Sequence, residues 1–440
     1  MDNVQKTSRK IFSSLSLKIA FIFFLVLLLM IPVGLIMNLI SEREKLRTET
    51  EIEIQDSWGR SQTLSGPIIT IPYYRYETRD EKRVRIKTYL HLLPENLDIK
   101  GEIFPETRYR GIYKVAVYSS KLNIQGNFAP AAKLIESIPD ENILWKEARI
   151  EFEIPDLRGI QEAIYLQLNE TVLKAEPGIS AGSPFQSGIH ASLNSEQIQS
   201  VNPTSFTIEM NLRGSNSLNF TPMGQTSRVQ IKSDWEDPSF GGAFLPFKRE
   251  INSSGFTAEW EVLHFNRNYP QIWIDKHYQT DDSAFGVSLL LPVDEYQKTM
   301  RSVKYAILFL TLTFTFFFFI EILNKKKVHP VQYIMVGTSL IIFYVLLLSL
   351  SEQVGFVAAY LIAATATILQ ISGFLYKIIN SAKTALVTAG TLAILYAYLF
   401  VLLQLKDYAL LMGSIGLFFI LSLIMYMSRN VRWSNDSHKQ

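Results

Sequence analysis

Ile19–Ile40 reads IAFIFFLVLLLMIPVGLIMNLI, and this stretch decides what the rest of the chain is. A bilayer core about 30 Å thick needs about 20 apolar residues in a helix. The run supplies them without a charged side chain. Lys6, Arg9, Lys10 and Lys18 precede it, as basic residues precede a secretory leader. The apolar stretch is too long for a leader, and SEREKL follows it with no small-x-small cleavage site. It reads as an uncleaved membrane anchor.

Outward from the anchor, composition divides the chain. Its 440 residues are 48% hydrophobic and 19% charged, with a mean hydropathy of +0.12. Such values describe membrane spans joined to a polar domain. A formal net charge of +2 gives no argument for a nucleic-acid partner. With no cysteine, disulfides, thiolate metal sites and cysteine nucleophiles are excluded.

After a polar stretch, five further apolar runs follow: Val303–Leu323, Val331–Leu350, Val354–Tyr376, Thr384–Leu405 and Tyr408–Met427. Basic residues accumulate on cytoplasmic loops. With the N-terminus inside, those loops hold Lys325, Lys326, Lys327, Lys377 and Lys383, and the tail holds Arg429, Arg432 and Lys439. The opposite turns hold Glu352 with Gln353, and Lys406 with Asp407. The expected plan is a cytoplasmic segment 1–18, an anchor 19–40, a periplasmic domain 41–302, a five-span bundle 303–427 and a cytoplasmic tail 428–440.

The periplasmic segment opens as helix through SEREKLRTETEIEIQDSWG, with Ser41 able to cap it and Trp58-Gly59 to end it. Then the period changes to two. RVRIKTYLHLL places Val84, Ile86, Leu90 and Leu92 opposite Arg83, Arg85, Lys87 and His91. SFTIEMNLRG sets Phe206, Ile208, Met210 and Leu212 against polar neighbours, and GFTAEWEVL does the same with Phe256, Ala258, Trp260 and Val262. Alternation of this kind marks strands of a half-solvated antiparallel sheet. Turn signals such as LPENLD, EPGISAGSP, TPMGQ and NSSG separate them. The expected fold class is a multi-pass α-helical membrane protein, with a large β-rich, sandwich-like domain inserted after the first span. One short helix is expected near APAAKLIESI. RGI occurs at Arg110–Ile112 and again at Arg158–Ile160, a match too short to establish a repeat.

SDWEDPSFGGAFLP, Ser233–Pro246, is the one segment of this domain too broken for a helix and too aromatic for an ordinary solvent loop. Asp237-Pro238 and Gly241-Gly242 are turn formers. Trp235, Phe240 and Phe244 either pack beneath the loop or form an exposed recognition patch. Asp234, Glu236 and Asp237 match no ligand spacing, so no metal site is read here. A packed corner is the favoured reading.

In the bundle, polar groups at membrane depth would mark a transport path. Glu321, His329, Glu352 and Asp407 all fall near span ends, where water and headgroups reach. Gln370 is the most central, and a single amide more often joins helices than carries substrate. Glu352 is expected to find Lys406, Arg301 or Lys304 as a partner, or simply to end a hairpin.

SDWEDPSFGGAFLP and GFTAEWEVLHFNRNYPQIW together resemble the bacterial CreD family. WGRSQTLSGPIITIPY at 58–73, RGIYKVAVYSSKLNIQGNF at 110–128, HPVQYIMVGTSLIIFYVLLLSLSEQVGFVAAYLIAA at 329–364 and LLQLKDYALLMGSIGLFFILSLIMYMSRNVRW at 402–433 extend the resemblance over nearly the whole chain. Lys406 departs from it, since an acid usually stands beside Asp407, which weakens any idea built on paired acids there. The resemblance implies an inner membrane protein tied to cell-envelope integrity, envelope stress and β-lactam response. It implies no catalytic residue.

No Walker-type loop, H-E-x-x-H or G-x-S-x-G occurs, and His91, His190, His264 and His277 are scattered. The reading is a non-enzymatic protein without cofactor or metal, whose partners are the lipid bilayer and an unidentified envelope component or membrane protein. The alternative is a transporter or channel.

Overall fold

A computed structural model describes residues 2–79, 82–130, 135, 138–198, 202–275, 278–289, 295–324, 328–405 and 409–428. Two compact units emerge: Met1–Arg47 with Val293–Gln440, and Thr48–Pro292.

The first unit is helical. Helix α1, Asp2–Trp58, carries the anchor and continues without a break into the second unit. Ser41 therefore caps nothing. The segment after it is rich in Glu, Lys and Arg, which favour helix, and nothing stops the helix before Gly59, whose φ is +141°. The run expected as a span over Val303–Leu323 is helix α3, Ala306–Asn324, apart from its first residues, which end a preceding helix, α2 Glu295–Lys304, bent by 46° from α3. α2 is polar overall yet buries Tyr296, Thr299, Ser302 and Val303. Three spans follow: α4 Pro330–Val354, α5 Phe356–Ile379 and α6 Ala382–Gln404. At 1.5 Å per residue each is about 34–38 Å long, enough to cross a bilayer. α4 turns into α5 at Gly355 alone, with φ +79°, a conformation that other residues resist. The last expected run is helical as α7, Ala409–Ser428. By length and composition, four described helices are able to cross a membrane, or five if α2 with α3 is one span.

The second unit is a β structure of two sheets. One contains β1 Gln62–Arg79, β2 Lys82–Leu92, β5 Arg149–Glu153, β8 Glu176–Pro177, β9 Gly188–Ser192, β11 Ser217–Phe220, β13 Pro238–Gly242, β16 Ile272–Ile274 and β17 Phe285–Leu289. Its order is β13-β17-β11-β1-β5-β9-β8, with β2 on β1 and β16 on β2. The other contains β3 Asn96–Arg110, β4 Tyr113–Phe128, β6 Tyr165–Leu168, β7 Thr171–Lys174, β10 Thr204–Ser215, β12 Thr226–Ser233, β14 Lys248–Asn252 and β15 Gly255–Leu263. Its order is β14-β15-β12-β3-β4-β10-β6-β7. Pairing is antiparallel except for β1 on β11 and β3 on β12, which are parallel.

Period two governs the second sheet. Phe206, Ile208, Met210 and Leu212, and Phe256, Ala258, Trp260 and Val262, all point into one continuous core shared with the first sheet. The opposite face pairs with itself across strands: Lys232 meets Glu102 at 2.9 Å, and Arg228 meets Glu261 at 3.4 Å. Such cross-strand pairs suit a solvated face.

The first sheet departs from the pattern at two places. Val84 is exposed, because the outer half of the β1–β2 hairpin runs past the core. His91, expected on a polar face, is buried; Thr70 Oγ1 lies 3.2 Å from its Nδ1 and donates to Glu151 at 2.8 Å. Trp273 packs on the His91 ring, which covers a face that the sequence left open to water. The helix expected near APAAKLIESI falls largely outside the described residues, although Ile135 is helical. The two RGI triplets differ in structure: one turns β3 into β4, with Gly111 at φ +60°, and the other lies in a 3-10 turn at Leu157–Gly159.

Candidate functional site

Ser233–Pro246 is a crossing between the two sheets. β12 belongs to one sheet, Pro238–Gly242 forms the edge strand β13 of the other, and the chain then returns to the first as β14. Pro238, Gly241 and Gly242, expected as turn formers, are residues of the short strand itself; the bends lie on either side of it, and Gly242, at φ +94°, leads into the second. Trp235, Phe240 and Phe244 are half-buried against the core. Phe240 meets Phe256 and Trp260 edge-on, with ring centroids 5.5 and 5.8 Å apart, and Phe244 meets Phe285 at 5.9 Å. Trp235 Nε1 donates to the Asp237 carbonyl at 3.2 Å, which ties the first turn together. Asp237 thus contributes its backbone, and the packed-corner reading holds for these aromatics.

The residues that follow behave differently. Leu245 and Phe247 are each 67% exposed, and Phe265 is 83% exposed. β14 pairs with β15 from Lys248↔Glu259 to Asn252↔Gly255, so Leu245 and Phe247 stand at the entry to β14 beside the middle of β15, while Leu263 and Phe265 lie at and just beyond the end of β15. The backbone presenting them is fixed: Phe247 N–H donates to Glu259 at 3.0 Å, and His264 N–H donates to Gln225 at 2.8 Å. His264 stacks on Phe265 with centroids 3.9 Å apart. The sequence analysis singled out Trp235, Phe240 and Phe244 and passed over Leu245, Phe247 and Phe265. The signal that separates them is which side of the β13 and β14 pairings each one falls on.

In the helical unit, α1 is held at two depths by the same chemistry. Lys18 pairs with Glu321, whose other oxygen accepts from Tyr333 at 3.0 Å. Glu321 is only 9% exposed, so it is a buried, partnered carboxylate rather than one bathed by water as the sequence suggested. Glu352 accepts from Tyr296 at 2.9 Å and lies 4.0 Å from Arg43. Of its expected partners, Lys406 lies outside the described residues, and Arg301 donates instead to the carbonyls of Leu402 and Leu405, at 3.3 and 2.7 Å. Arg43 lay unrecognised because no pattern ties the anchor to the spans that follow. Lys18 and Arg43 stand about 37 Å apart along the helix.

Where α1 ends, a second set of groups holds it to the β structure. Arg158 donates to both carboxylate oxygens of Asp156 at 2.9 Å, and to the Asp56 backbone carbonyl at 2.7 Å. Arg60 binds Asp56 through its side chain at 2.6 Å and Asp156 through its backbone N–H at 2.9 Å. Trp58 donates to the Tyr118 carbonyl at 3.1 Å and lies between the Arg108 and Arg213 guanidinium groups. Burial raises the Asp156 pKa, but the Arg158 side chain and the two backbone donors outweigh it and hold the group below its ordinary value.

Other candidates have local duties. His329 caps α4, accepting from Val331 N–H at 3.3 Å, while Gln332 returns to the His329 N–H. Gln370, near the middle of α5, is on the exposed side of the helix and accepts from Ser339 at 2.8 Å, joining α5 to α4. Asp407 lies outside the described residues. His190 is hydrogen-bonded to Arg149 and the Gly178 carbonyl. Among the described residues, no group of three His, Cys, Asp or Glu is placed to hold a metal ion.

A first apolar helix, a large two-sheet β structure and a set of spans returning after it define a multi-pass helical membrane protein with a β domain inserted behind its first span. The chain belongs to the CreD family: residues 14–434 match the family described as inner membrane protein CreD. It is 35% identical over 427 residues to inner membrane protein CreD of Escherichia coli (strain K12), covering 96% of this chain and 94% of that protein.

Proposed function

We propose that this is a non-enzymatic protein of the bacterial inner membrane that supports cell-envelope integrity, including the response to envelope stress and β-lactams. In this reading both termini are cytoplasmic and the β domain lies in the periplasm, as the distribution of basic residues favours. The domain acts by contacting an envelope component or a partner protein. The observation that carries the reading is the exposure of large apolar side chains on the β14–β15 side of the domain: Leu245 and Phe247 at the entry to β14, and Phe265 after β15, beside backbone groups held by hydrogen bonds. Large exposed apolar groups held this way mark interaction surfaces.

The test is a double variant, Phe247→Asp with Phe265→Asp, expressed in place of the parent. The expected result is normal membrane abundance and melting, with β-lactam and detergent sensitivity matching that of the deletion strain. Full parental resistance overturns the reading. Orientation is tested separately, since the chain has no cysteine. Ser253→Cys should react with an impermeant maleimide in spheroplasts, and Ser437→Cys only after permeabilisation.

A second reading, transport, draws on the buried hydroxyls of Thr313, Tyr344 and Ser372 in the bundle, which have no hydrogen-bond partner among the described residues. Solute or ion flux in reconstituted liposomes distinguishes it.

A further inference from the structure

The outer half of the β1–β2 hairpin is a free ribbon. From the Tyr74↔Lys87 pair to Arg79↔Lys82 the strands pair with each other. Among the described residues, no other strand joins them there: β5 pairs with β1 no farther along than Thr70, an isolated bridge from Ile143 stops at Tyr73, and β16 pairs with β2 only from Leu90 onward. An isolated two-stranded ribbon has little core to hold it, so its side chains must serve another purpose.

Side chains alternate between the faces of a strand, so one face carries Tyr74 and Tyr76 from β1 and Arg83, Arg85 and Lys87 from β2. The Arg85 guanidinium lies 3.3 Å from the Tyr74 ring centroid, and that of Arg83 lies 4.2 Å from the Tyr76 centroid. These stacks orient the guanidinium groups without neutralising them. Lys87 is paired with Glu147, but neither Arg83 nor Arg85 has a carboxylate partner among the described residues. On a solvated sheet face such as that of β12 and β15, arginine is matched across strands; here two are left unmatched on exposed positions. Stacked arginine keeps its donor fork free, and that fork matches carboxylate and phosphate geometry.

We infer that this face binds an extended anionic glycan, a sugar chain carrying repeated acidic groups. The cations form a row roughly 7 Å apart along β2, on a flat face rather than in a pocket, which suits a chain. They lie on the face, whereas a peptide adding to the sheet would use the free edge and its backbone groups. The tyrosine hydroxyls beside them can meet sugar hydroxyls. With a whole-chain charge of only +2, nucleic acid is disfavoured. The inference goes beyond the proposed envelope role and uses a different surface, so either can fail alone.

The test uses the full chain in nanodiscs of zwitterionic lipid, with a labelled decamer of galacturonate as probe. Binding should weaken at least tenfold in Arg83→Gln with Arg85→Gln, and it should fall as salt is raised. Arg85→Lys, which keeps the charge and loses the fork, should lie between, and Arg249→Gln on the exposed β14 strand should match the parent. Each variant must keep the parental melting transition, and Arg83→Gln alone replaces the double variant if that one does not. No binding of the decamer, equal binding by the arginine variants, or equal binding of neutral maltodextrin overturns the inference. So does tighter binding of polyglutamate, which would make the face a peptide site, or a preference for anionic over zwitterionic vesicles as the sole effect, which would make it a lipid site.

Discussion

Arg158 closes on Asp156 as a fork, with its Nε and Nη2 each 2.9 Å from a carboxylate oxygen, and the same guanidinium reaches back to the Asp56 carbonyl at the end of α1. One arginine thus joins the last turn of the membrane-anchored helix to the first strands of the β domain. Since the Asp156 pKa is depressed on folding, the ionised form is the one the fold favours. The linked stability is fully present above the ordinary carboxylate pKa of 3.8 and is lost as pH falls through the lower folded value. Asp156→Asn should therefore lower the melting temperature at pH 7, and the gap should close as pH drops below about 4. Tryptophan fluorescence reports it well, since Trp58, Trp145, Trp235, Trp260 and Trp273 all lie in this domain. A gap unchanged by acid would show that the fork is not what stabilises the junction.

Glu153 on β5 gives the opposite sign. Burial first, and the nearby Asp281 charge second, push its pKa up, against opposing hydrogen bonds from Ser65 and Gln186. A carboxylate whose pKa is raised on folding costs stability when ionised in both states, and that cost vanishes once pH falls below its unfolded value. Glu153→Gln should raise the melting temperature at pH 7 and leave it unchanged near pH 3. Thermal scans at the two pH values check it, and a destabilised variant at neutral pH would refute it.

Phe240 and Trp235 separate packing from shape in the crossing. On sequence alone, Trp235→Ala carries the cost of a packed aromatic, about 3–5 kcal/mol. Half-burial lowers the cost for both; Trp235→Ala should cost about 1–3 kcal/mol and Phe240→Ala about 2–4 kcal/mol, since Phe240 is also edge-on to two core rings. Chemical denaturation of both variants should therefore rank Phe240→Ala as the more damaging.

Glu321 and Glu352 predict unequal effects in the helical unit. Removing one partner of a buried pair leaves the other charge uncompensated, at a cost of about 3–5 kcal/mol. Glu321→Ala should lower thermostability in detergent sharply, and Lys18→Met beside it should restore much of the loss. Glu352→Gln keeps the acceptor for Tyr296 and gives up only a 4.0 Å contact with a half-exposed Arg43. It should change melting little. Equal losses in the two would contradict the assignment of Glu321 as the principal clamp.

Local pattern carried the architecture. The anchor Ile19–Ile40 and the later apolar runs are legible because a helix in a bilayer must be apolar along its length. Strands such as Thr204–Ser215 are legible because a sheet with one wet face must alternate. Inward packing of Trp235, Phe240 and Phe244 was the favoured of two readings there, but Pro238, Gly241 and Gly242, which read as turns, are residues of strand β13, and Leu245 and Phe247, equally apolar, face out.

Pairing was decided only by the tertiary structure. His91 sits on the polar side of its strand by period and is buried, because Trp273, far along the chain, covers that side. Helix α2, too polar for hydropathy to mark, precedes the span of α3 at a 46° bend. Glu352 meets Tyr296 and Arg43, which no local pattern joins to it, and the two unmatched arginines of the β1–β2 ribbon stand out only once their neighbours are known. The reason is physical: periodicity is imposed by each element on its own residues, whereas burial, ion pairing and free charge depend on which distant segment the fold brings opposite.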